Sequence, residues 1–148
     1  LIPISRDHHF GLLLVWKIRK GIDQKVDKKR IVEYIRYFFE VHLSLHFSLE
    51  EEYLFSYLAK NDRMRKEAEA QHKELREKFD QLNDGVCDEH DLEEFAKELE
   101  SHIRFEERKL FPYMQVELTA QDLEELGNSV EKTHQKVREN WHDPFWEN

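Results

Sequence analysis

The sequence predicts an all-α protein, an up-down-up-down four-helix bundle with an additional C-terminal helix. Three observations carry this. Helix breakers are scarce, with four glycines and three prolines among 148 residues. Charged residues make up 37% of the chain and are interleaved with Leu, Phe and Ile at helical spacing. The breaks between these stretches are short, and short connections join antiparallel neighbours. A chain of 148 residues can bury one core, so residues 1–148 are expected as a single domain. Its four-helix core should cover about 5–117, with the C-terminal helix and an aromatic tail over about 119–148.

Each helix has its own signals. Ser5 is a good N-cap for a first helix running through Asp7 to about Lys20 and closing at Gly21. Leu12, Leu13, Val15, Trp16 and Ile18 should form its buried stripe. Asp27 can cap a long second helix reaching about Ala59, with Ile31, Ile35, Phe38, His42, His46, Leu49, Tyr53 and Tyr57 on one face. A third helix should start after Asn61 or Asp62 and stop at Asn83-Asp84-Gly85, a strong turn signal. Asp88 then caps a fourth, whose inner face carries Leu92, Phe95, Leu99, His102, Glu106 and Leu110. Thr119 followed by Asp122 resembles a capping box and opens a fifth helix expected to end near Trp141. That helix and the Trp141-to-Trp146 tail should cover one side or one end of the bundle.

Composition excludes several classes. A formal charge of −9 argues against nonspecific nucleic-acid binding, which needs a basic surface. No run of about 20 apolar residues is present, so no membrane span is expected. Cys87 is the only cysteine, which rules out an intramolecular disulfide and fits a reducing compartment. No secretory leader is recognisable, although the chain begins at Leu1 rather than Met, and the expected location is the cytoplasm.

An internal repeat carries the chemistry. Helix two holds His46-Phe-Ser-Leu-Glu50-Glu51-Glu-Tyr-Leu54-Phe55, and helix four holds His102-Ile-Arg-Phe-Glu106-Glu107-Arg-Lys-Leu110-Phe111. Both read H-x-x-x-E-E-x-x-L-F. A weaker repeat links helices one and three, where His9 precedes Leu12 and His72 precedes Leu75. Residues four apart on a helix share a face about 6 Å apart, so His46 with Glu50, and His102 with Glu106, can point into one site. Packed about a pseudo-twofold axis, the two glutamates would meet at the bundle centre and bridge two cations, with histidines as terminal ligands. Such a shell suits iron, manganese or zinc better than calcium, which takes oxygen ligands. A carboxylate on an apolar helix face needs a partner, and a metal also accounts for the histidine one turn away.

These motifs, with the Leu110-Phe111-Pro112 ending and the Asp7-His8-His9 opening, resemble those of the hemerythrin-like family of cation-binding four-helix bundles over roughly Ser5 to Val116. The resemblance implies a di-iron centre with a bridging oxo or hydroxo group, able to bind or react with dioxygen, nitric oxide or peroxide. Carried over by residue, the ligands are His9, His46, Glu50, His72, His102 and Glu106. Oxygen-carrying hemerythrins have a further histidine four residues after the helix-three one, where this chain has Arg76. They also have an aspartate ligand five residues beyond the last histidine, where this chain has Glu107. These departures leave open metal positions and turn the expectation from oxygen carriage toward sensing, detoxification, iron handling or iron–sulfur repair. The other reading is a metal-stabilised bundle without redox chemistry that binds a protein partner or a second copy, with the aromatic tail as one contact.

Other residues compete for the site. His8 and His9 differ by about a hundred degrees of helix rotation, so only one can face it, and the match of His9–Leu12 to His72–Leu75 favours His9. His42, one turn before His46, is an extra ligand candidate or a supporting residue. Glu51 and Glu107 could replace or assist their neighbours. His90 precedes His102 by twelve residues, about 18 Å along one helix, and cannot share the site. His134 and His142 read as surface residues, Cys87 as a surface thiol, and Tyr53 and Tyr57 as core.

Overall fold

Helix α1 spans Ile2–Asp23 in the computed structural model, which describes residues 1–85 and 87–147. It starts a turn before Ser5, because Pro3 in the first turn presets the helical φ and forfeits no internal hydrogen bond. It also runs past Gly21, whose missing side chain admits a close approach: a Cβ there would lie 2.8 Å from Phe145 Cε1 and 2.9 Å from Ile31 Cδ1. The turn comes instead at Lys25, in the left-handed region at φ 56°. The buried face of α1 differs from the expected stripe. Leu14, Val15, Lys17 and Ile18 are buried, whereas Leu12 and Trp16 are 36% and 49% exposed.

Helix α2 covers residues 28–57 and is capped by Asp27 as predicted, but it is not a uniform α-helix. π-Turns interrupt it at Phe39–Leu43 and Glu50–Leu54, and a short 3₁₀ turn, Phe55–Tyr57, ends it. Helix α3, Arg63–Asn83, is capped by Asp62. Helix α4, residues 89–117, opens on a capping box of Asp88 and Asp91 and carries a π-turn at Glu106–Leu110. The H-x-x-x-E-E-x-x-L-F repeat is therefore a structural repeat as well, since each copy places a π-turn at its first glutamate. A π-turn inserts a residue into the helical register. That is why the Leu-Phe pairs Leu54-Phe55 and Leu110-Phe111 are all buried, while Tyr53 and Tyr57, expected on the inner face, are only half-buried.

The four helices close a ring in which α1 packs on α2 and α4, and α3 packs on α2 and α4. Two apolar clusters fill it. One contains Ile18, Ile35, Phe38, Phe79 and Phe95, the other Ile4, Leu54, Phe55, Leu110 and Met114. On every helix the candidate ligands fall in the layer between these clusters. No helix among the described residues is long and apolar enough to cross a membrane.

Helix α5, Ala120–Thr133, is capped by Thr119 and stops eight residues short of the predicted Trp141. From His134 the chain is extended and lies along α2 as a strap. Tertiary contacts overrule helix propensity here. Val137, Trp141, Phe145 and Trp146 pack against the first apolar cluster, with Phe145 2% exposed. The ammonium of Lys17, buried among them, donates to Tyr34 Oη at 2.9 Å and Glu139 Oε2 at 3.1 Å, and lies 3.9 Å from the Trp146 ring centre. Tyr34 donates to the other Glu139 oxygen, and Arg30 forks onto Asp143 at 2.6 and 2.8 Å. A buried cation needs such partners, so these contacts fix the strap to the bundle. The tail is thus anchored on its own chain.

Candidate metal centre

Seven buried polar or charged residues occur among the described residues, and six of them lie in one layer: His8, His46, Glu50, His72, His102 and Glu106. Their donor atoms form two overlapping groups. His8, His46, Glu50 and Glu106 make one, and Glu50, His72, His102 and Glu106 the other, with all donor atoms of each group within 4.8 Å of one another. Both groups use both glutamates. Of the six predicted ligands the structure brings five together.

The sixth, His9, is exposed, and His8 takes its place. The error has a physical source. Matching His9–Leu12 to His72–Leu75 assumed that Leu12 faces inward, but the inward position is Gly11, packed against Ile103. A glycine adds no apolar side chain to the periodicity, so the stripe was read one residue late. The signal that identifies His8 is the preceding polar residue: Asp7-His8 aligns with Gln71-His72. His8→Ala is expected to lower the metal content of the purified protein and His9→Ala to leave it unchanged, as measured by elemental analysis after dialysis.

The four buried histidines are all oriented the same way. Nε2 faces the glutamates, while Nδ1–H donates outward: His8 to Glu107 at 2.7 Å, His72 to Glu51 at 2.6 Å, His46 to Asp7 at 3.0 Å and His102 to Gln71 at 2.7 Å. Such partners fix the tautomer and ring angle of a metal-binding histidine and raise its basicity. Glu51 and Glu107 therefore orient His72 and His8 and are not in either group. Arg76, where oxygen carriers have a histidine, grips Glu51 with two bonds of 2.7 and 3.0 Å. Burial alone would raise Glu51, but His72 and Arg76 hold it down at about 2, so it stays an acceptor.

The inner atoms are poorly satisfied without a cation. His46 Nε2, Glu50 Oε2, His102 Nε2 and Glu106 Oε2 are buried and have no hydrogen-bond partner. Burial, together with the adjacent Glu106 charge, pushes the Glu50 carboxyl well above its ordinary value. Burial would lower His8, but its bonds to Glu106 and Glu107 overcome this and raise it to about 9. A metal would displace these protons and satisfy the orphaned atoms together, so the donor set fits cations. A family model for the hemerythrin HHE cation-binding domain matches residues 6–114. The chain belongs to that family. No curated protein and no solved structure matches the chain.

In this HHE domain a cavity of about 20 Å³ opens beside the histidines, lined by Gly11, Phe38, Leu43, Leu99 and Ile103 together with His8, His46 and His102. That is enough for one water-sized molecule, which needs roughly 10–15 Å³. His42 belongs to neither ligand group; it borders this cavity, and its buried Nε2 has no partner. A wider outer cleft of about 380 Å³ between α2 and the strap shares Asp7, His42, His46 and Val137 with the cavity. His90 and His142 are exposed as expected, and Cys87 is half-buried. His134 also departs from the surface position expected for it, since it is half-buried and its Nε2–H donates to Asp7 at 2.8 Å. Its role depends on a contact 127 residues away in sequence, which no local pattern reveals.

Proposed function

We propose that the chain is a non-haem di-iron protein that binds or reacts with one small oxidant, dioxygen, nitric oxide or peroxide, in a sensing, detoxifying or iron-handling role. The observation that carries this reading is the pair of overlapping His₂Glu₂ groups sharing Glu50 and Glu106, set against a cavity the size of a diatomic. Each position would have two imidazole nitrogens and two shared carboxylates, leaving coordination open as redox-active non-haem sites require. Bound iron would supply reversible electron transfer and a coordination site for the ligand.

The chain's own residues do the rest. Glu107, Glu51, Asp7 and Gln71 hold the four Nδ1 protons so that each Nε2 lone pair faces inward. The apolar walls from Phe38, Leu43, Leu99 and Ile103 exclude bulk water and admit only a small ligand. His42 presents the polar atom in that wall that can meet the ligand's far end. Zinc and manganese use the same donors, so the metal in the cell follows supply as well as ligand type. The lone cysteine fits a cytoplasmic location.

Protein produced with iron should contain two irons per chain and show near-ultraviolet charge-transfer bands that change with reductant and with dioxygen or nitric oxide. One metal per chain, or a spectrum indifferent to both treatments, would refute the reading.

A further inference from the structure

The two halves of the ligand layer are close to twofold symmetric, and they differ in one respect that involves the strap. In each half the residue before the helix-one or helix-three ligand orients a histidine on the long partner helix. Gln71 accepts from His102, and Asp7 accepts from His46. Gln71 is held from its own helix, since its amide donates to Glu67 at 3.0 Å, one turn earlier. Asp7 has no such support, because the residue one turn earlier is Pro3. Its second oxygen is taken instead by His134, at the root of the strap. The side chains of Asp7 and His134 are 12% and 11% exposed, so the pair is shielded where it meets His46. The strap also lies beyond residues 6–114, which the family model matches.

We propose that His134 is a positioning residue that acts through Asp7 on His46, making the metal position of His8 and His46 dependent on the strap while that of His72 and His102 is not. The proposal rests on the two-metal reading above. The chemistry is that of a relay of fixed donors. His134 Nε2–H pins one Asp7 oxygen, which leaves the other aimed at His46 Nδ1–H and so sets the angle of the His46 ring. Asp7 offers a carboxylate oxygen to His46 where Gln71 offers an amide oxygen to His102, so the two long-helix histidines are held through different acceptors. Without His134 the Asp7 carboxylate can rotate toward the outer cleft, and His46 loses its orientation. Val137, three residues along the strap, walls the same cavity as His8 and His46. The strap therefore serves the ligand-binding side of the centre.

The test is titration of Co(II) into the metal-free chain by calorimetry, resolving two binding constants. His134→Ala should weaken one of them by about 10- to 100-fold and change the other by less than about twofold. His134→Leu, which keeps the packing and lacks the donor, should behave as the alanine variant. His134→Gln, which keeps an N–H donor, should return the weakened constant to within about threefold of the original. Gln71→Ala should weaken the other constant, and in a His46→Ala background His134→Ala should add nothing. Equal loss at both positions, no loss at either, or a glutamine variant as weak as the leucine one would overturn the role of His134 and leave the two-metal reading standing. A wild-type chain that takes fewer than two Co(II) would instead refute that reading, and the asymmetry with it.

Discussion

Glu50→Ala is expected to release both metals together, with each binding constant falling by more than about 100-fold, beyond the range seen when a supporting partner is lost. Glu50 is fully buried and belongs to both donor groups, so no variant at this position can empty one metal position alone. Glu50→Gln separates binding from folding. In the metal-free protein burial and the Glu106 charge favour the protonated Glu50 carboxyl, and a glutamine amide mimics that neutral group. Its melting temperature without metal should therefore stay within a few degrees of wild type, on the scale of about 1 kcal/mol or less. With metal present the wild type should gain stability that the variant does not, because only the folded wild type holds the cation. Retention of one tightly bound metal by Glu50→Ala would show that Glu50 is not shared.

Much of this arrangement is legible in the sequence. The inner face of α4, from Leu92 through His102 and Glu106 to Leu110, is buried as its periodicity predicts. The repeat located both glutamates and three of the four histidines, because this layer places polar residues at positions where a bundle otherwise requires apolar ones. What was lost follows from two kinds of local irregularity. The π-turns at Glu50 and Glu106 shift the register, so extrapolating a regular helix past Glu50 put Tyr53 and Tyr57 where Leu54 and Phe55 belong. Gly11 hides the true phase of α1, so the pattern points to His9 where the structure buries His8. The strap was opaque for a different reason. Residues 134–147 have no regular structure of their own, and their placement comes from partners such as Lys17, Tyr34 and Asp7 on distant helices.

Gly11→Ala is expected to close the ligand pocket while leaving the metals in place. An added Cβ would lie 2.7 Å from Ile103 Cδ1, too close to be tolerated without movement. That atom is the free end of a flexible side chain, and Ile103 borders the cavity of about 20 Å³. The methyl group and the displaced isoleucine together need a volume comparable to the whole cavity, so the space left cannot hold even a water-sized molecule. Stability should fall by up to about 3 kcal/mol, without unfolding the bundle. Alanine in place of a mid-helix glycine contributes up to about 1 kcal/mol, and crowding the pocket costs about 1–3 kcal/mol. None of the six ligands moves off its helix position, so the metal content should match wild type. Azide, followed by the absorbance of the iron-loaded protein, should bind at least about 10-fold more weakly, as expected when a pocket loses the room its ligand needs. Combining Gly11→Ala with Ile103→Val removes one methyl group from the crowded wall and should restore part of that affinity. If Gly11→Ala binds azide as wild type does with both metals present, the ligand does not enter by this cavity, and the outer cleft beneath the strap becomes the place to look.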